Sequence, residues 1–114
     1  MKGPLSNKIR VHHILDAITE VEQYIAGVTD EQFLNNSEKR FATIKQIEII
    51  GEACNKITEE VRQAHPQIPW AQVIGFRNIS IHEYHNISFY IVWNIATTDL
   101  PQLKAQMQKL LEEI

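Results

Sequence analysis

Residues 76–87, FRNISIHEYHNI, set an arginine, an imidazole and a phenol close together: Arg77, His82 and Tyr84. Asn78, Glu83, His85 and Asn86 stand among them. A histidine titrates near neutrality and can move a proton at pH 7. A guanidinium offers two-pronged binding to phosphate oxygens as charge builds on them. Together these groups suit cleavage of an RNA phosphodiester, where the 2′-hydroxyl is the internal nucleophile and no metal is required. One histidine alone would want a second acid or base. A two-fold dimer would bring a second His82 and a second Arg77 if the motif lay near the axis.

The elements around these residues decide whether they can act. At about 100° per residue, a helix from Pro69 into the 82–85 region gathers Trp70, Val73, Ile74 and Ile81 on one face, with Arg77 in its middle. Asn78 and His82 lie side by side on the flank at i, i+4 spacing. An arginine in an apolar stripe must be paired or partly wet, so the helix should line a cleft or an interface. Spacing alone favours a plainer reading: Arg77 pairs with Glu48 or Glu52, Tyr84 is a core residue with a wet tip, and His82 ends the helix. Glu52 could equally orient Arg77 or His82.

The rest of the chain reads as an all-α bundle. Ile14, Ile18, Val21 and Ile25 mark a helix over 7–26, stopped by Gly27. Thr29 and Gln32 form a capping box for a short helix near 30–35. Ser37 is expected to cap a long helix over 38–63, ended by Pro66 and Pro69. Asn86 and Ser88 mark a turn before a stretch over 88–96. Asp99-Leu100-Pro101 reads as a further helix start, with Leu103, Met107, Leu110 and Leu111 as its apolar stripe. Nothing alternates long enough to be a strand.

A chain of 114 residues suits one domain, residues 1–114. Its net charge of −3 argues against broad attraction to nucleic acid but leaves room for a local basic site, with Lys8, Arg10, Lys39, Arg40 and Lys45 as its candidates or as solvated faces. No apolar run approaches the roughly 20 residues of a membrane span. With no secretory leader evident, a cytoplasmic location is expected. Cys54, the one cysteine, should be a buried structural thiol. His82 and His85 make a poor metal pair, and no metal or cofactor is expected. Trp70 and Trp93 fit core packing better than base stacking. Gly51 would permit close helix approach, at a dimer interface for example.

The motif Arg77-Asn78, "ISI", His82-Glu83-Tyr84 resembles that of the HEPN ribonucleases, and in its full form that of the HepT-like toxins. "GEACNKI" (51–57), "IPWAQVIGFRN" (68–78) and "DLPQLKAQMQKLL" (99–111) extend the resemblance over about residues 8 to 112. The resemblance implies a HEPN-type bundle of about five to six helices and a homodimer with a composite, metal-independent endoribonuclease site. Arg77 and His82 would be catalytic, and Asn78, Tyr84 and Glu52 supporting or RNA-positioning. The expected role is the toxin of a type VII-like toxin–antitoxin pair acting on cellular RNA, transfer RNA in particular. The expected partner is a nucleotidyltransferase antitoxin, a separate chain, that inactivates the toxin by transferring AMP to Tyr84. The alternative is a HEPN module that binds a nucleotide or a protein and cleaves nothing.

Overall fold

The computed structural model describes residues 4–79 and 88–114, and these are helical with no strand among them. The elements are α1 (Pro4–Ile25), α2 (Asp30–Leu34), α3 (Ser37–Asn55), α4 (Glu59–Ala64), α5 (Trp70–Gly75), a 3₁₀ turn (Phe76–Asn78), α6 (Phe89–Asn94), a π turn (Ile95–Asp99) and α7 (Leu100–Glu113). Helical backbone runs unbroken through α6, the π turn and α7, giving one continuous rod. The architecture is the all-α bundle expected from the sequence.

α1 and α3 pack against each other, with α7 on the other side of α1 and α6 resting on α2 and α3. Val11, Ile14, Ile18 and Val21 of α1 meet Ile44, Ile47 and Ile50 of α3 and Leu100, Leu103, Met107 and Leu110 of α7 in one buried cluster. Each such side chain contributes roughly 1.5–3 kcal/mol when fully buried. Phe33 fills the end of the core beneath α6, its ring centroid 5.1 Å from that of Trp93. Trp70 packs at the core's edge and donates its indole N–H to the His65 carbonyl at 2.9 Å. Both tryptophans therefore pack as expected. Cys54 is fully buried, and desolvation pushes its thiol up to about 12, against a small lowering by Arg62.

Local signals stop and start the first helices. Gly27 takes φ +70°, which only glycine adopts without strain, and ends α1. Thr29 and Gln32 form the capping box of α2 in both directions. α3 is capped by Asn36, whose side chain accepts from the Lys39 N–H at 3.0 Å, and not by Ser37 as its sequence suggested. Lys39 Nζ and Arg40 also reach back across this corner, to the carbonyls of Tyr24 and Leu34. The Arg40 guanidinium lies 4.3 Å from the centroid of the Phe89 ring and so joins the α2–α3 corner to α6.

Two expected boundaries are corrected. The long helix ends at Asn55 rather than 63, and α4 restarts after Thr58. The cause is tertiary: Asn7, on α1, accepts from the Thr58 N–H and donates to its hydroxyl, both at 3.1 Å. The helix expected from Pro69 into 82–85 stops at Gly75, tightens into the 3₁₀ turn and ends at Ile79, which is extended (φ −85°, ψ 103°). The helix start read at Asp99-Leu100-Pro101 is that of α7, although Asp99 makes no side-chain cap and its own backbone is helical, continuing the π turn into Pro101. Pro101 lacks an N–H, so the helix interior would lose a bond at that point, and wider helical winding just before it absorbs the misfit.

Candidate active site

Arg77 and Asn78 end the 3₁₀ turn and both are exposed. The tighter winding of that turn rotates successive side chains by about 120° rather than 100°. The buried face here is centred on Val73 and Phe76, the latter 5% exposed, so Arg77, one residue further on, points outward. The expected place of Arg77 in the middle of an apolar stripe is thus corrected. Nor does Arg77 pair with Glu48 or Glu52: among the described residues its side chain makes no hydrogen bond or ion pair, and Glu48 instead meets Lys45 at 3.3 Å. A guanidinium free of carboxylates keeps its donors available for an incoming anion.

The backbone of the turn is tied down. The Ile79 N–H closes it onto the Phe76 carbonyl at 3.0 Å. On the α3 side it lies against Gly51, so close that a β-carbon there would sit 2.3 Å from the Arg77 nitrogen. The close approach that Gly51 permits is therefore within the chain. Glycine inside a helix costs about 1 kcal/mol relative to alanine. Val73 and Phe76 face Asp99 and Leu103, so α7 walls the turn from the other side. His82 and Tyr84 lie outside the described residues, as does His85.

Glu52 follows Gly51 but points elsewhere. It is exposed and lines a groove of about 310 Å³ between α1 and α3 with Arg10, His13, Lys45 and Lys56. Arg10 and Lys56 continue into an adjoining hollow of about 470 Å³ that reaches Arg62 on α4. Glu52 bonds to none of the described residues, Arg77 included. Arg10, Lys56 and Arg62 likewise form no ion pair among the described residues, and the Nε atoms of Arg10 and Arg62 are buried without a partner. The result is a row of cations, Arg10, Lys45, Lys56 and Arg62, interleaved with Glu48, Glu52 and Glu59, on a chain whose net charge is −3. Sequence reasoning singled out Arg10 and Lys45 but passed over Lys56 and Arg62. Lys56 stands eleven residues, three helical turns, beyond Lys45; that spacing was the readable signal, while Arg62 joins only through the fold. Lys39 and Arg40, also singled out, are taken up by the α2–α3 corner instead.

Among the described residues no group of three or more histidines, cysteines or carboxylates could hold a metal ion. Nor is any described helix long and apolar enough to cross a membrane. What the turn offers is an exposed guanidinium unpaired among the described residues, and what the groove offers, separately, is a group of cations, each a setting for phosphate groups. The family model "Ribonuclease HepT-like" matches residues 14–110. The chain belongs to the HepT-like ribonuclease family. Among HepT-like relatives, a Methanocaldococcus jannaschii protein named "Putative RNase MJ1380" is 34% identical over 101 residues, covering 89% of this chain and 93% of its own length. "Probable ribonuclease HepT" of Thermococcus cleftensis is 33% identical over 105 residues, 92% of this chain and 96% of its own. A third relative, "Putative RNase TTE0752" of Caldanaerobacter subterraneus subsp. tengcongensis, is 29% identical over 103 residues, 90% of this chain and 92% of its own. No solved structure matches the chain significantly. Membership in this HepT-like family supports ribonuclease activity and an RNA substrate.

Proposed function

We propose that this chain is a metal-independent endoribonuclease of cellular RNA, transfer RNA in particular, and the toxin of a toxin–antitoxin pair. The observation that carries the site assignment is Arg77: exposed, free of carboxylates among the described residues, and held by its backbone at the end of a tight turn. In this reading Arg77 binds the scissile phosphate and stabilises the charge that builds on it. His82 moves the proton on or off the reacting oxygens. Asn78 and Tyr84 position the RNA, with Glu52 in support. A homodimer brings two motifs together, so that two histidines share the acid and base work. Arg10, Lys56 and Arg62, which form no ion pair among the described residues, support an RNA strand as ligand, because such cations favour phosphates even where carboxylates stand nearby and the chain as a whole is acidic.

In the same reading Tyr84 is the switch. A nucleotidyltransferase antitoxin transfers AMP from adenosine triphosphate to its hydroxyl, with the phenol proton lost and pyrophosphate released, adding bulk and negative charge two residues from His82 and seven from Arg77. Such a group competes with the substrate phosphate for Arg77, as a phosphorylation would.

The test is to make the chain with and without a co-expressed nucleotidyltransferase, measure its intact mass, and incubate each sample with total transfer RNA plus a chelator. Unmodified protein should cleave in the presence of the chelator. Protein carrying AMP on Tyr84 should not, and Tyr84→Phe should escape modification. His82→Ala and Arg77→Ala should abolish cleavage and growth arrest while leaving the fold intact. Full toxicity in His82→Ala would sink the assignment. Unchanged mass together with unchanged RNA would favour the binding-module alternative.

A further inference from the structure

An arginine that binds a phosphate works only if its side chain starts from the right place. That place is set by the backbone of the turn, and the turn has an unusual seat. An ideal β-carbon on residue 51 would lie 2.3 Å from Arg77 N, 3.0 Å from Phe76 C and 3.1 Å from Arg77 Cα. All three are backbone atoms, which cannot swing aside as the end of a flexible side chain can. They belong to the peptide unit that carries Arg77. Phe76 is fixed in the core, so pressure from residue 51 would pivot the turn about Phe76 and carry Arg77 outward. Restoring an ordinary contact distance requires a shift of about 1 Å. Gly75, in the helix just before the turn, makes the contrast: a β-carbon there meets nothing within 4 Å, and its φ of −60° suits any residue. One helical glycine is therefore replaceable and the other is not.

We propose that Gly51 is a positioning residue for Arg77, its missing side chain forming the seat that sets where the guanidinium reaches the RNA phosphate. This rests on the reading of Arg77 as the phosphate-binding group. A misplacement of about 1 Å at a reacting centre can cost on the order of 100-fold in rate, and that is the loss expected of Gly51→Ala.

The experiment measures single-turnover RNA cleavage, with thermal unfolding alongside, for Gly51→Ala, Gly75→Ala, Arg77→Ala and the Gly51→Ala/Arg77→Ala pair. Gly51→Ala should fold and cleave on the order of 100-fold more slowly. Gly75→Ala should stay within about twofold of the parent, as expected of a substitution that meets no neighbour. On the Arg77→Ala background, where enzyme excess and long incubation reveal the residual rate, Gly51→Ala should cost nothing more. A merely structural role would slow both backgrounds equally, and that result overturns the proposal. So does full activity in folded Gly51→Ala, or a Gly51→Ala chain that no longer unfolds cooperatively. Wild-type cleavage by Arg77→Ala would instead sink the catalytic reading of Arg77, and the positioning role with it. The seat itself would still be read from the Arg77 amide resonance, which should move in Gly51→Ala.

Discussion

Asn7→Ala removes one side chain and breaks two bonds across 51 residues of sequence. Asn7 is 4% exposed; its Oδ1 accepts from the Thr58 N–H and its Nδ2 donates to Thr58 Oγ1, each at 3.1 Å. Thr58 makes no side-chain cap of its own, so Asn7 serves α4 from another helix. Two neutral hydrogen bonds contribute about 1 kcal/mol each, and an amide left unsatisfied in a half-buried site adds a further penalty, so the expected loss is about 2–3 kcal/mol. For 114 residues the entropy of unfolding is roughly 0.24 kcal/mol per kelvin, which makes that loss a fall in Tm of roughly 8–12 °C. Asn7→Asp keeps an acceptor for the Thr58 N–H and can accept from its hydroxyl. It should lose no more than about 1 kcal/mol, helped by a carboxylate near the start of a helix. The assay is urea and thermal unfolding at one fixed protein concentration, with Thr58→Ala completing a double-mutant cycle. A loss below about 0.5 kcal/mol in Asn7→Ala, the level of an ordinary surface change, would refute the view that this pair terminates α3 and starts α4.

Two further tests follow from the ring and groove geometry. His65 places Nδ1 3.0 Å from the Val61 carbonyl and Nε2 2.8 Å from a Glu113 carboxylate oxygen. Both neighbours are acceptors, so they favour the doubly protonated ring. The Val61 carbonyl chiefly, and then Glu113, raise its pKa above the usual 6.5, outweighing the opposing effect of burial. A pKa raised on folding gives stability that is fully present below the unfolded value and lost as pH rises through the folded one. The Tm gap between the parent and Glu113→Gln should therefore be widest in mildly acidic solution, where the ring is charged and carboxylates still are, and close above neutrality; a gap independent of pH would refute the link. In a His82→Ala background, Lys56→Ala and Arg62→Ala should each weaken RNA binding and flatten its salt dependence by about 0.7 in the log–log slope, the value of one phosphate contact on a single strand. Unchanged slopes would take the RNA out of this groove.

What the sequence showed and what it hid divide along the distance over which each feature is determined. Gly27 and the Thr29–Gln32 box act on their own neighbours, and both were readable. The break at Lys56–Thr58 contains neither glycine nor proline and depends on Asn7, so the long helix was read straight through it. The 3₁₀ turn likewise needs Phe76 drawn into the core and Gly51 beneath it, neither of which a periodicity count contains. The types and spacing of Arg77, Asn78, His82 and Tyr84 pointed to their chemistry directly. That Arg77 is exposed, and unpaired among the described residues, could come only from the fold. The group of cations was half legible, because Lys45 on α3 and Lys56 just past its end stand at helical spacing while Arg10 and Arg62 arrive from other helices.

The placement of α7 also has a consequence in time. This helix lies along α1, joined at the surface by Lys104 and Glu22 at 3.0 Å, and it walls Val73 and Phe76 behind the arginine turn. It is synthesised after everything it covers. At translation rates of roughly 5–20 residues per second, α1 waits several seconds with one flank of its apolar face bare. α1 and α3 can pair early, but the support behind Arg77 is complete only once Leu103 has arrived. A nascent chain would thus carry every residue of the proposed motif before it had the wall behind the arginine turn, and would gain its activity only after α7 had been made.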